Sequence, residues 1–145
     1  MTASEPEIIA RGLIVEEGRV LVCRNLAKGY AYLPGGHIEA GETAAAALAR
    51  EFDEECGVAI TVGDAALVAE LVTGPDDGGL HEYTLVFHVE RSGDDPVTSR
   101  EPHISFEWMD LGAMVDADLR PSCIKAWIAS GGSTSGPDVA FVSGV

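Results

Sequence analysis

A chain of 145 residues, 46% hydrophobic and 23% charged, has the size and balance of one globular domain over 1–145, long enough to bury a sizeable core. Its 24 acidic residues against nine basic leave a net charge of −15, so neither nucleic acid nor an anionic membrane surface is an expected partner. Cys23, Cys56 and Cys123 are odd in number and lack metal or disulfide spacing, which reads as reduced thiols in a cytoplasm-like compartment.

The opening MTASEPE is polar and acidic, without the basic and apolar regions of a signal or transit peptide, and no apolar run is long enough to span a membrane. Residues 8–15 are mostly branched and apolar, Glu16-Glu17-Gly18 makes a turn, and residues 20–23 resume, which predicts a β-hairpin. Arg24 and Lys28 follow, each either a surface charge or a contact for an anion. Residues 31–33 form a short strand that Pro34 ends, since proline offers no N–H donor. A loop rich in glycine (Gly35, Gly36, Gly41) comes next, with His37 inside it as an incidental residue. A helix is expected from Thr43, a capping residue before an Ala/Leu run, to Gly57, a left-handed terminator.

Beyond the helix, residues 66–73 predict a strand and residues 75–79 a turn. Residues 81–90 then alternate, with Tyr83, Leu85, Phe87 and Val89 on one face and Glu82, Thr84, Val86 and His88 on the other, completing a hairpin. A polar loop over 92–102 precedes a strand over 104–111. Pro121 opens a final helix over 122–130 with Ile124, Trp127 and Ile128 on its inner face. The tail over 130–145 is Gly/Ser-rich up to Val139, Ala140, Phe141 and Val142, which either dock on the domain or a partner subunit or form a frayed end. Strands interleaved with two helices predict an α/β fold, an α/β/α sandwich around a mixed sheet.

The first helix carries the chemistry. Glu51, Glu54 and Glu55 stand at i, i+3 and i+4, so three carboxylates share one face within one turn. Each like-charged pair costs roughly 0.2–0.5 kcal/mol, and the negative end of the helix dipole adds to the penalty, so a cation is needed there. Hard oxygen donors without His or Cys select Mg²⁺, Mn²⁺ or Ca²⁺. The opposite stripe, Ala45, Leu48, Ala49, Phe52 and Cys56, has core-facing spacing.

The whole stretch reads Gly36, five residues, Glu42, seven residues, Arg50-Glu51-Phe52, one residue, Glu54-Glu55, one residue, Gly57-Val58. This pattern resembles the Nudix box with every defining position filled; the one mild departure is Phe52, at a position usually aliphatic. The resemblance implies a Nudix-type α/β/α sandwich with a mixed central sheet, MutT-like pyrophosphohydrolase activity, and Mg²⁺ as cofactor with Mn²⁺ as a substitute. It implies that Glu51, Glu54 and Glu55 are the metal ligands and catalytic residues, Glu54 or Glu55 being the water-activating base. A backbone carbonyl of Gly35 or Gly36 joins the metal site, and a Glu42–Arg50 salt bridge braces the loop against the helix. A further catalytic carboxylate from a later loop is implied, with Glu101 the best positional choice and Glu82 and Glu107 the alternatives; Arg24 is a candidate for substrate phosphate. Trp108 either stacks on a base or, as in the family's last strand, packs in the core. Pro75 and Tyr83 lie where some subfamilies mark specificity, but turn and strand packing account for them.

The reaction implied is cleavage of a diphosphate linkage in a nucleoside diphosphate joined to another moiety, such as an NDP-sugar, a dinucleoside polyphosphate or a (d)NTP. Two alternatives stand beside it: sanitising oxidised (d)NTPs, and sensing a nucleotide without cleaving it. A small nucleotide is the implied partner, and a homodimer is left open.

Overall fold

The computed structural model describes residues 5–132 and 138–144. The first apolar run becomes β1 (Glu7–Leu13), and it does not fold back on its sequence neighbour as the predicted hairpin requires. The hairpin shrinks to β2 (Val15–Glu16) against the start of β3 (Arg19–Asn25), closed by Glu17 and Gly18 at φ 53° and 74°. β1 instead lies between β5 (Gly35–His37), antiparallel, and β7 (His81–Arg91), parallel. The reason is burial on both faces: Ile9 and Leu13 on one side and Ala10 on the other are all buried, and a central strand satisfies both where a two-stranded ribbon does not. The glycine-rich segment is therefore not all loop, since Gly35 to His37 are strand.

Two sheets result. The larger is mixed, in the order β5-β1-β7-β6-β9, with β6 (Ile60–Val72) antiparallel to β7 and β9 (Ala140–Gly144) parallel to β6. The apolar end of the tail thus docks on its own domain, while residues 133–137 and 145 lie outside the described part. The smaller sheet joins β2, β3 and β4 (Ala31–Tyr32), with β8 (Ile104–Asp110) paired along the whole of β3.

Helix α1 (Ala44–Cys56) and helix α2 (Ser122–Ala129) belong to separate hydrophobic clusters. Leu48, Phe52 and Cys56 join Ala10, Ile14, Leu21 and Val89. Ile124 and Ile128 join Leu13, Val20, Val22, Leu67, Val86 and Met114, with Trp127 packed at their margin. Trp108 is partly buried in the first cluster, with Arg91 5.3 Å from its ring centroid.

One burial expectation is corrected, and one left open is filled in. On α1 the buried set is Ala47, Leu48, Phe52 and Cys56, whereas Ala45 and Ala49 face solvent. The core ridge 48-52-56 lies beside the ridge 47-51-55, so the carboxylate face is adjacent to the core rather than opposite it. On β7 the buried residues are Thr84 and Val86 on one face and Val89 on the other, while Tyr83, Leu85 and Phe87 are half-buried. Alternation marked the two faces correctly but not which one meets the α2 layer, and irregular β6–β7 pairing between Val62 and Leu67 shifts the register further along.

Candidate active site

α1 delivers the carboxylates because both of its ends are fixed. The Thr43 hydroxyl accepts from the Ala46 N–H at 3.1 Å. At the other end Gly57, at φ 69°, donates its N–H to the carbonyls of Phe52 (2.9 Å) and Asp53 (3.0 Å). The loop after β7 closes on this end. The Arg100 N–H donates to the Glu55 carbonyl at 2.6 Å and its guanidinium to the Asp53 carbonyl at 3.2 Å, in space that a Cβ at position 57 would occupy. A cation thus sits at the negative end of the helix. The same contact brings the next residue, Glu101, within electrostatic range of Glu55.

Arg50 ties loop to helix. Its Nε and Nη2 donate to the two Glu42 oxygens at 2.8 and 2.9 Å, a bidentate pair, and Nη2 also donates to the His37 carbonyl at 3.1 Å. Nη1 donates to Glu51 Oε1 at 3.0 Å and lies 3.5 Å from Glu54 Oε2. Hydrogen bonding from Arg50, helped by the Glu39 N–H, holds the Glu42 carboxyl down at about 2.

Glu55 is the least satisfied of the carboxylates. Its Oε2 is buried without a hydrogen-bond partner. Burial pushes its pKa up to about 8, the charge of Glu51 adds to the rise, and Arg11 opposes it. Glu51 lies beneath the glycine strand, so a Cβ on Gly36 would stand 2.5 Å from its carboxyl carbon. A buried orphan oxygen, a neighbouring carboxylate and a cradle open only to glycine suit a hard divalent cation. Among the described residues no three His, Cys, Asp or Glu side chains are assembled to hold a metal, and Arg50 engages Glu51 and Glu54.

A cavity of about 860 Å³ opens beside these residues. Gly35, Gly36, Glu51 and Glu55 line it, as do Arg11, Tyr30, Tyr32, Glu82, Asp118, Arg120 and Lys125. The aromatic wall is built from two tilted rings and two cations: the Tyr30 and Tyr32 centroids are 6.0 Å apart at an interplanar angle of 52°, Arg120 lies 4.7 Å from the Tyr30 centroid and Arg11 lies 5.3 Å from that of Tyr32. The segment carrying Asp118 and Arg120 is pinned to β4, the Ala31 N–H donating to the Asp118 carbonyl and the Arg120 N–H to the Ala31 carbonyl, both at 2.8 Å.

The other sequence candidates are scattered. Glu82 lines the cavity, and burial raises its pKa. Lys28 and His37 also line it, His37 with Glu7 3.3 Å away. Arg24 and Glu107 do not: they are ion-paired with each other, Arg24 Nε donating to Glu107 Oε1 at 3.1 Å, and Arg24 Nη1 donates to the Gly29 carbonyl at 2.6 Å. Glu54, 55% exposed, and Glu101 stand outside the lining. Pro75 begins a 3₁₀ turn, and the Tyr83 hydroxyl donates to Glu70 at 3.0 Å. Sequence reasoning passed over Arg11, Tyr30, Tyr32, Asp118, Arg120 and Lys125. An arginine inside an apolar strand is a legible signal for the first, and the Tyr-Ala-Tyr alternation for the next two; Asp118 and Arg120 carry none.

The NUDIX domain model matches residues 6–128. A Mycobacterium tuberculosis protein named "Putative 8-oxo-dGTP diphosphatase 2" is 33% identical over 132 residues, covering 85% of this chain and 86% of that one. Among solved structures, a MutT protein from Methanosarcina mazei superposes with a TM-score of 0.74 at 24% identity, covering 89% of this chain and 95% of the other. A NUDIX hydrolase from Nitrosomonas europaea gives 0.72 at 18%, covering 97% and 80%. These two likenesses concern the fold. With the family model spanning both the carboxylate helix and the cavity strands, the chain belongs to the NUDIX family and is a MutT-like pyrophosphohydrolase.

Proposed function

We propose that this enzyme hydrolyses nucleoside triphosphates carrying an oxidised purine, releasing the nucleoside monophosphate and pyrophosphate. The observation that carries this reading is one cavity lined both by Glu51 and Glu55 and by the Arg120–Tyr30–Tyr32 wall. A triphosphate suits the carboxylates with their cation, and a flat base suits the aromatic wall. The 33% identity to the relative named "Putative 8-oxo-dGTP diphosphatase 2" supports oxidised triphosphates as the class.

NUDIX hydrolases use divalent metal ions, and we assign that ion to Glu51, Glu54 and Glu55 with a backbone carbonyl of Gly35 or Gly36, and favour Mg²⁺ with Mn²⁺ as a substitute. Once bound it supplies charge neutralisation of the anhydride and a lowered pKa for attacking water. The chain's own part is placement. Arg50 and Glu42 hold the glycine strand against α1, and Arg100 closes the 92–103 loop so that Glu101 is available as a further carboxylate. Glu55, sheltered from water, is the better placed of Glu54 and Glu55 to take a proton from water. The domain spans 1–145 in this reading and works on a cytoplasmic nucleotide pool, for which three free cysteines and the lack of any helix long and apolar enough to cross a membrane among the described residues are suitable. The oligomeric state, a homodimer included, is open to measurement.

The test is turnover of 8-oxo-dGTP, dGTP, NDP-sugars and dinucleoside polyphosphates with Mg²⁺ or Mn²⁺, with products resolved by mass. The expected result is 8-oxo-dGMP and pyrophosphate, with kcat/KM at least about tenfold above that for dGTP. A higher kcat/KM for an NDP-sugar would replace the oxidised triphosphate with the broader NDP-X class.

A further inference from the structure

Among the described residues Arg11 is a cation without a polar partner, within electrostatic reach of Glu55 and Glu82. β1 sets it beside Gly35 of β5 and Val86 of β7, half-buried, in the lining of the cavity. Its guanidinium lies over the Tyr32 ring, and among the described residues it forms no hydrogen bond and no ion pair. Two other cations of the cavity are engaged: Arg120 donates to Asp118 at 3.0 and 3.3 Å, and Lys125 Nζ to the Ala117 carbonyl at 3.0 Å. An arginine offers five N–H donors in a planar fork, and a half-buried fork with none of them used has a ligand to meet. A phosphoryl group matches that fork. The position is fixed by a central strand, against the Tyr32 ring and within electrostatic reach of Glu55 and Glu82 in the same cavity lining, so the phosphates of a substrate whose base stacks at Tyr30 come within its range.

We propose that Arg11 is a substrate-binding residue that donates to non-bridging oxygens of the polyphosphate, setting the anhydride between the α1 carboxylates and the Tyr30–Arg120 wall. This rests on hydrolysis of a nucleotide anhydride in this cavity and not on which base the nucleotide carries.

The test is calorimetric binding in the presence of Mg²⁺ of three probes, α,β-imido-dGTP, inorganic tripolyphosphate and deoxyguanosine, to the wild type, Arg11→Gln, Arg11→Lys and Tyr30→Ala. Loss of a charge-assisted pair in Arg11→Gln is expected to weaken both phosphate-bearing probes by roughly 10- to 100-fold and leave deoxyguanosine unchanged. Arg11→Lys, which keeps the charge but not the fork, recovers part of the loss and serves as the second variant if Gln impairs folding. Tyr30→Ala weakens deoxyguanosine and the imido analogue but not tripolyphosphate. Unchanged affinity for the phosphate probes in Arg11→Gln, or an equal loss for deoxyguanosine, overturns the proposal and leaves Arg11 a structural counter-charge to Glu55 and Glu82. A wild type that binds tripolyphosphate but rejects the imido analogue overturns the purine reading alone, and Arg11 is then decided on tripolyphosphate.

Discussion

The two ends of the cavity are built in opposite ways. The carboxylate end comes from one continuous stretch, residues 35–57, in which a strand, a turn and a capped helix fix Gly36, Glu42, Arg50, Glu51 and Glu55 relative to one another. The aromatic end is gathered from β1, the approach to β4 and the segment before α2, and is held by backbone hydrogen bonds between Ala31 and the Asp118–Arg120 segment. A cation site needs several oxygens placed to a fraction of an ångström, which a helix with two fixed ends provides. A base platform needs only flat surface at the right height, which loops on a rigid scaffold supply and vary. In the proposed function the chemistry is thus local in the chain and the recognition is not.

Substitutions at the two ends should therefore separate kcat from KM. Glu55→Gln is expected to have the largest effect, lowering kcat about 10³-fold, because a neutral amide stands where a buried carboxylate acts. Its stability profile tests the same burial. In metal-free protein the folded state keeps the Glu55 proton up to about pH 8 while the ordinary value is 4.5. Between those values the unfolded chain binds fewer protons, so stability falls as pH rises and levels off above about 8. Thermal melts in EDTA from pH 4.5 to 8 should show a shallower decline for Glu55→Gln than for the wild type. An identical decline would place Glu55 in water.

Phe52→Ala acts on the scaffold beneath the carboxylates. The ring is 1% exposed and packed toward Gly12 and Val89, so its loss should cost about 3–5 kcal/mol in denaturant unfolding. Gly36→Ala should lower kcat about 10²-fold with little change in melting temperature, since the added methyl displaces the Glu51 carboxylate and meets no backbone. A kcat near wild type would mean that Glu51 has room to move without loss. At the aromatic end, Tyr30→Ala should raise KM about tenfold and leave kcat near its original value. A fall in kcat alone would erase the distinction between the two ends. The smallest effect is expected at Ala49→Lys, within about 0.5 kcal/mol, because Ala49 faces solvent; a large loss of stability there would restore the buried stripe that spacing first suggested.

How much was legible in the chain follows the same division. The limits of α1 could be read from Thr43 and Gly57, because capping is settled by a residue and its immediate neighbours. The core ridge could be read only in part. Spacing placed Leu48, Phe52 and Cys56 on one side of α1, but whether Ala47 or Ala49 joins them depends on the angle at which the helix meets the sheet. On β7, alternation separated two faces without saying which one α2 would cover: Val86 meets the α2 cluster, while Val89 on the other face joins the α1 cluster.

By itself, then, the sequence determined a carboxylate helix behind a glycine-rich segment, the resemblance that follows from that spacing, and most of the strands, since each depends on interactions within a few residues. Tertiary structure decided that β1 pairs with β5 and β7 rather than with β3, that Arg24 is taken up by Glu107, and that Arg11, Tyr30, Asp118 and Arg120 share one cavity. Those outcomes depend on contacts between residues tens of positions apart. They are set by which apolar faces must be covered and which charges meet once they are, and no local pattern records that.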